Sequence, residues 1–106
     1  MEKTIDIAQM KWDTYYHVTH EKDLALWVIV RCEGYREDDK SRINGPCISN
    51  MNGRLEYDGN GVWLPGRPIR YATQEEIGWL YACIYADKLV PNPNAESHII
   101  NNYEIY

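Results

Sequence analysis

The sequence predicts an α+β domain: an antiparallel sheet of four to six short strands, open or barrel-like, packed on one C-terminal helix. Three observations carry this expectation. Asn-Gly recurs at 44–45, 52–53 and 60–61, each pair eight residues after the last. Residues 24–30 form a β-rich run, apolar at every position. Thr73-Gln74-Glu75-Glu76 is a capping box that opens a segment with apolar residues at helical spacing. At 106 residues the chain suits one core. The expected organisation is a single domain over 1–90, with 91–106 as a tail or an edge strand.

Residues 5–12 suit either a short helix or an entry strand. Residues 14–19 are rich in Thr, Tyr and Val and read as a strand. Residues 24–30 (LALWVIV) lack the alternation of a half-wet strand, so a central strand covered on both sides is expected. His20-Glu21-Lys22-Asp23 is the hairpin loop between them. Residues 33–42 are charged, contain Gly34 and read as a solvated loop.

Asn-Gly suits a type I′ turn, because both central positions need positive φ. Six residues between turns is one short strand. Residues 46–51 and 54–59 are therefore expected as rungs of a meander continuing into 62–64. Asp58-Gly59 beside Asn60-Gly61 doubles the last turn signal. Pro46 has no N–H to donate, so it belongs at a strand start or an edge.

The helix is expected from about Gln74 to about Lys88. Thr73 caps it, and Ile77, Leu80, Tyr81 and Ile84 form an apolar stripe at i, i+3, i+4, i+7. Glu75 and Glu76 favour its positive end and Lys88 its negative end. Pro91 and Pro93 stop any continuation. Residues 94–106 contain Ile99-Ile100 and end Tyr103-Glu104-Ile105-Tyr106, which suits a short added strand.

Composition narrows the function classes. Nine Tyr, four Trp and no Phe mean that every aromatic ring carries a polar hydrogen, which suits interfaces. The net charge of −5 is unevenly spread. Residues 40–70 hold five basic and two acidic side chains, between two acidic ends. Eleven bases among sixteen acids give too sparse a negative field to imitate duplex DNA, at about one charge per 1.7 Å. Cys32, Cys47 and Cys83 are odd in number and widely spaced, as expected of reduced, buried thiols rather than of a disulfide framework or a zinc knuckle. No apolar run reaches the length of a membrane span and no signal-peptide pattern is seen, so a cytoplasmic protein is expected.

Catalytic chemistry finds no pattern here. His17 and His20 are three apart, and on a strand such positions face opposite ways, unsuited to one metal. There is no nucleophile elbow, phosphate-cradling glycine loop or H-E-x-x-H. Glu37-Asp38-Asp39 lacks the spacing of a calcium loop. The expectation is a non-enzymatic protein with no cofactor and no metal.

Two binding surfaces are candidates. Trp79 lies roughly 160° from the expected apolar stripe, so it is expected to point outward as a partner-binding anchor. Ala82 and Ala86 would flatten the ground around it, and Tyr85 completes the patch. The alternative surface is Trp63, Arg67, Arg70 and Tyr71, where rings and guanidinium groups interleave as they do in binders of nucleotides or single-stranded nucleic acid.

The segment Ile69-Arg70-Tyr71-Ala72-Thr73-Gln74-Glu75-Glu76-Ile77-Gly78-Trp79-Leu80-Tyr81-Ala82-Cys83-Ile84, followed by Leu89-Val90-Pro91, carries a resemblance. It resembles the R-x-A-T-x-E-E-x-x-W-L-x-A-C-I … V-P ending of small proteins from phages and prophages of gut Bacteroidota. That resemblance covers about 22 residues of this chain and implies a mobile-element origin. Small proteins of such origin often serve host takeover or counter-defence, but the resemblance itself points to no specific target and transfers no site residues. The expected function is a phage-type, anti-CRISPR-like inhibitor or adaptor that binds a bacterial host protein, such as a defence effector that handles nucleic acid.

Overall fold

Tyr15–Thr19 (β1) and Trp27–Arg31 (β2) are the longest strands of the structure. It is a computed structural model that describes residues 10–20, 22–23, 25–34, 42–63 and 69–93, with 42 and 61–63 described through the backbone. The two strands pair antiparallel from Tyr15 opposite Arg31 to Thr19 opposite Trp27. Their connection is longer than the expected loop over residues 20–23, because β2 starts at Trp27 rather than at residue 24. The His20 N–H donates to the Leu26 carbonyl, and the Ala25 N–H donates to Asp23 Oδ1. Residues 5–9, 35–41, 64–68 and 94–106 lie outside the described part, and with them most of the entry segment, most of the charged loop and the tail; residues 10–12 are neither helix nor strand.

Five further strands follow: β3 (Arg42–Asn44), β4 (Cys47–Ser49), β5 (Glu56–Asp58), β6 (Gly61–Trp63) and β7 (Ile69–Tyr71). One helix, α1 (Gln74–Ala86), closes the described chain. The main sheet has the order β5-β4-β2-β1-β7 with every pairing antiparallel. It is an α+β fold, and the sheet is open rather than barrel-like, with β5 and β7 at its edges. β2 sits at the centre, and Trp27 to Val30 are all buried, as expected for a strand covered on both faces.

The Asn-Gly spacing works differently from the expected meander. β4 pairs with β5, and β3 pairs with β6 in a separate two-stranded ribbon. Both ladders share one register: Ser49 opposite Glu56, Cys47 opposite Asp58, Asn44 opposite Gly61 and Arg42 opposite Trp63. The strands are thus one long bent hairpin centred on Asn52-Gly53. Gly53 has φ 86° but Asn52 does not share the positive φ, and the Gly53 N–H closes on the Asn50 carbonyl, so the tip is not the expected type I′ turn. The other two dipeptides face each other across it, and the Gly45 N–H donates to the Asn60 carbonyl at 3.4 Å. There the hairpin leaves the main sheet. Gly45, at φ 130°, permits this bend; a Cβ would overlap the Arg31 carbonyl oxygen. β6 therefore pairs with β3 rather than continuing a meander from β5, which corrects the sequence expectation.

Alternation along the strands divides the apolar side chains between two layers. Tyr16, Val18, Val28, Val30, Cys32, Cys47 and Ile69 pack with Met10 and Ile43 on one face of the sheet. Trp27, Ile29 and Ile48 pack on the other face with Trp79, Leu80 and Cys83 of α1. Full burial of each such aliphatic side chain contributes about 1.5–3 kcal/mol. Cys32, Cys47 and Cys83 are free thiols buried in these layers, as expected.

Candidate functional site

The first turn of α1 is built as the capping box requires. The Glu76 N–H donates to Thr73 Oγ1 at 3.2 Å, and the Thr73 N–H donates back to Glu76 Oε1 at 2.8 Å. The helix ends at Ala86, two residues before Lys88, because Asp87 turns into the left-handed region at φ 58°. The N–H groups of Asp87 and Lys88 then satisfy the carbonyls of Ile84 and Cys83.

Glu76 has a second task. Arg70 on β7 donates to it through both terminal nitrogens, Nη1 to Oε1 at 2.8 Å and Nη2 to Oε2 at 3.0 Å. His17 on β1 is the cross-strand neighbour of Arg70, and its Nε2 lies 3.9 Å from Glu76 Oε2. The imidazole also stacks on Trp27, with centroids 6.0 Å apart. These polar groups therefore fasten the start of α1 to β1 and the edge strand β7, and the Glu76 side chain is only 3% exposed.

That fastening sets which side of α1 is buried. Glu76, Trp79, Leu80 and Cys83 are the buried helix residues. They have the same i, i+3, i+4, i+7 spacing as the expected stripe, shifted by one residue, or about 100° around the helix. Ile77 and Ile84 are half-buried on its flank, and Tyr81 is exposed.

The expected outward Trp79 is corrected by the same rotation. Trp79 is fully buried, packs at 6.2 Å from Trp27, and donates its indole N–H to the Val90 carbonyl at 2.8 Å. It is a core residue. Its ring is larger and less polar than tyrosine's, and the chain returning from Asp87 supplies the one acceptor it needs. Among the other members of that patch, Tyr85 is 88% exposed, Ala86 exposed and Ala82 half-buried.

What faces solvent is the stripe Gln74, Gly78, Tyr81 and Tyr85, all exposed. It lies roughly 180° from the buried stripe. Tyr81 is 54% exposed, and nothing lies within 4 Å of where a Cβ on Gly78 would be. Sequence reading placed Tyr81 in the buried stripe and so missed it as a surface residue. The available signal was Glu76: a cap-box glutamate six residues after an arginine on the preceding strand can be drawn inward and turn the helix with it.

The alternative surface is not assembled as one face by the described residues. Arg70 is engaged by Glu76 on the helix side of the sheet. Tyr71, its neighbour along β7, lies on the opposite side and stacks on Tyr16 at 5.5 Å. Trp63 belongs to β6, with its side chain outside the description, and Arg67 lies outside the described residues.

Among the described residues, no three His, Cys, Asp or Glu side chains are grouped to hold a metal ion, and no helix is long and apolar enough to cross a membrane. No known protein family, no curated protein and no solved structure matches this chain.

Proposed function

We propose that this protein is a non-enzymatic binding module that presents the outer face of α1 to another protein. The observation that carries the reading is the tyrosine pair Tyr81 and Tyr85, one helical turn apart and 54% and 88% exposed. Tyrosine is enriched among residues that dominate binding energy, and two rings on a rigid helix lose little side-chain freedom on contact. Gly78 and Ala82 leave the ground beside the rings low enough for a partner to approach. Exposed Glu75 flanks the face and favours a basic group on the partner beside it.

Basic surfaces are common on proteins that handle nucleic acid. Together with the phage-like ending, this gives the full reading: an inhibitor or adaptor directed at a bacterial host protein, of the anti-defence kind. The test compares wild type with the Tyr81→Ser/Tyr85→Ser double variant in pull-downs from a nuclease-treated bacterial lysate. The expected result is a defined host protein retained by wild type and lost by the variant at unchanged thermal stability. Equal retention by both would remove this face from the reading.

A further inference from the structure

The three Asn-Gly dipeptides are chemically alike, but the fold places them in unlike settings. Asn-Gly is the dipeptide most open to spontaneous deamidation, because glycine offers no side chain to hinder its own amide nitrogen. In that reaction the Gly amide nitrogen, having lost its proton, attacks the Asn side-chain carbonyl carbon. A carbon–nitrogen bond forms, the bond to Nδ2 breaks, and ammonia leaves with the proton. Solvent water then opens the resulting succinimide at either carbonyl, giving aspartate or isoaspartate. No oxidant or reductant is involved.

We propose that Asn52 is the site of self-modification in this protein, and that Asn44 and Asn60 are protected by the sheet. At Asn44-Gly45 the backbone is locked on three sides. The Asn44 N–H donates to the Gly34 carbonyl, the Glu33 N–H donates to the Asn44 carbonyl, and the Gly45 N–H donates across to Asn60. At Asn60-Gly61, the Asn60 N–H is held by Asp58 Oδ1 at 2.8 Å, its carbonyl receives the Gly45 N–H, and Gly61 is a ladder partner of Asn44. The attacking geometry needs rotation about the Asn backbone, and at both places that rotation breaks strand pairing.

Asn52-Gly53 sits at the tip of the same hairpin. Asn52 and Gly53 are exposed, and nothing lies within 4 Å of a Cβ position on Gly53. The Gly53 N–H donates only within its own turn, to the Asn50 carbonyl at 3.1 Å. That bond can open without disturbing the sheet. Asn52 Nδ2 donates to Glu56 Oε1 at 2.8 Å. Conversion to a carboxylate removes this donor and sets two negative groups side by side, while isoaspartate adds a backbone carbon at the hairpin's centre. The tip of the hairpin therefore carries a built-in chemical clock that alters charge and register together.

The test is incubation of the intact folded protein at 37 °C in mildly alkaline buffer, followed by peptide mapping with mass detection. Each amide converted adds about one dalton. The same incubation is run in concentrated denaturant, and on the Asn52→Gln variant. The expected result is conversion at Asn52 several-fold faster than at Asn44 or Asn60 in the folded protein. The three rates should converge in denaturant, and the early mass gain should vanish in Asn52→Gln. Equal rates at the three sites in the folded chain, or an intact Asn52 while either of the others converts, would overturn the proposal.

Discussion

Arg70 and Glu76 face each other as a fork and its carboxylate, with two parallel hydrogen bonds of 2.8 and 3.0 Å between β7 and the third residue of α1. Glu76 also closes the capping box, so one carboxylate both starts the helix and attaches it to the sheet. The Glu76→Gln variant keeps an oxygen for the Thr73 N–H but leaves Arg70 without its countercharge beside His17. Breaking a buried pair costs about 3–5 kcal/mol, and Arg70, which still reaches water, lowers this to about 2–3 kcal/mol. Urea unfolding should show that loss, and Arg70→Met combined with Glu76→Gln should recover part of it. A change in Glu76→Gln within about 0.5 kcal/mol would mean the pair adds nothing to docking.

The rotation of α1 separates two aromatic residues that sequence reading placed together. Trp79→Ala removes a fully buried ring and the donor to Val90, and should destabilise the fold by about 3–5 kcal/mol. Tyr85→Ala removes an 88% exposed ring and should stay within about 0.5 kcal/mol of wild type. Thermal unfolding of the two variants checks this directly. A destabilised Tyr85→Ala with a tolerant Trp79→Ala would mean the helix is turned the other way.

Much of this was legible because local chemistry and tertiary structure agreed. The capping box, the central strand around Trp27 and the place of the turn at Asn52-Gly53, though not its expected type I′ geometry, each follow from residue types that permit few alternatives. The helix face was not legible, because Ile77-Leu80-Tyr81-Ile84 and Glu76-Trp79-Leu80-Cys83 fit the same period one residue apart. The choice was made by Arg70, on a strand too short to be recognised from three residues. The bent hairpin failed for a related reason. Asn44-Gly45 and Asn60-Gly61 are turn signals locally, but their equal distance from Asn52-Gly53 lets them pair across a strand bend.

Gly45 is the tightest point of that bend. Its φ of 130° is unfavourable for any other residue, and a Cβ would collide with the Arg31 carbonyl of the central strand. Gly45→Ala should cost more than about 3 kcal/mol, the upper end for backbone strain alone, because strand β2 must also shift. Gly53→Ala has comparable φ strain at 86° but open space around it, so its cost should remain near 1 kcal/mol. Chemical denaturation of both variants gives the comparison. Equal losses would show that the close approach to Arg31 is relieved at no cost.

Cys47 sets the response to alkali. Burial pushes its thiol up to about 12 from the ordinary 9.0, with the nearby Asp58 carboxylate acting in the same direction. Burial also raises Cys32, Cys83, Tyr16 and Tyr57. In the unfolded chain the Cys47 thiol ionises from about pH 9, while in the native protein it keeps its proton until about 12. Its contribution is thus complete below pH 9 and is lost as pH rises toward 12, by at most about 1.4 kcal/mol per unit. Urea midpoints measured from pH 7 upward should hold level and then fall above pH 9. Cys47→Ala, although less stable at neutral pH, should fall with a shallower slope. At pH 8 none of the three thiols should react with a chromogenic disulfide until denaturant is added, because a buried, protonated sulfur is a poor nucleophile. Rapid labelling of Cys47 in the native protein, or identical alkaline slopes for wild type and Cys47→Ala, would place that thiol in contact with water.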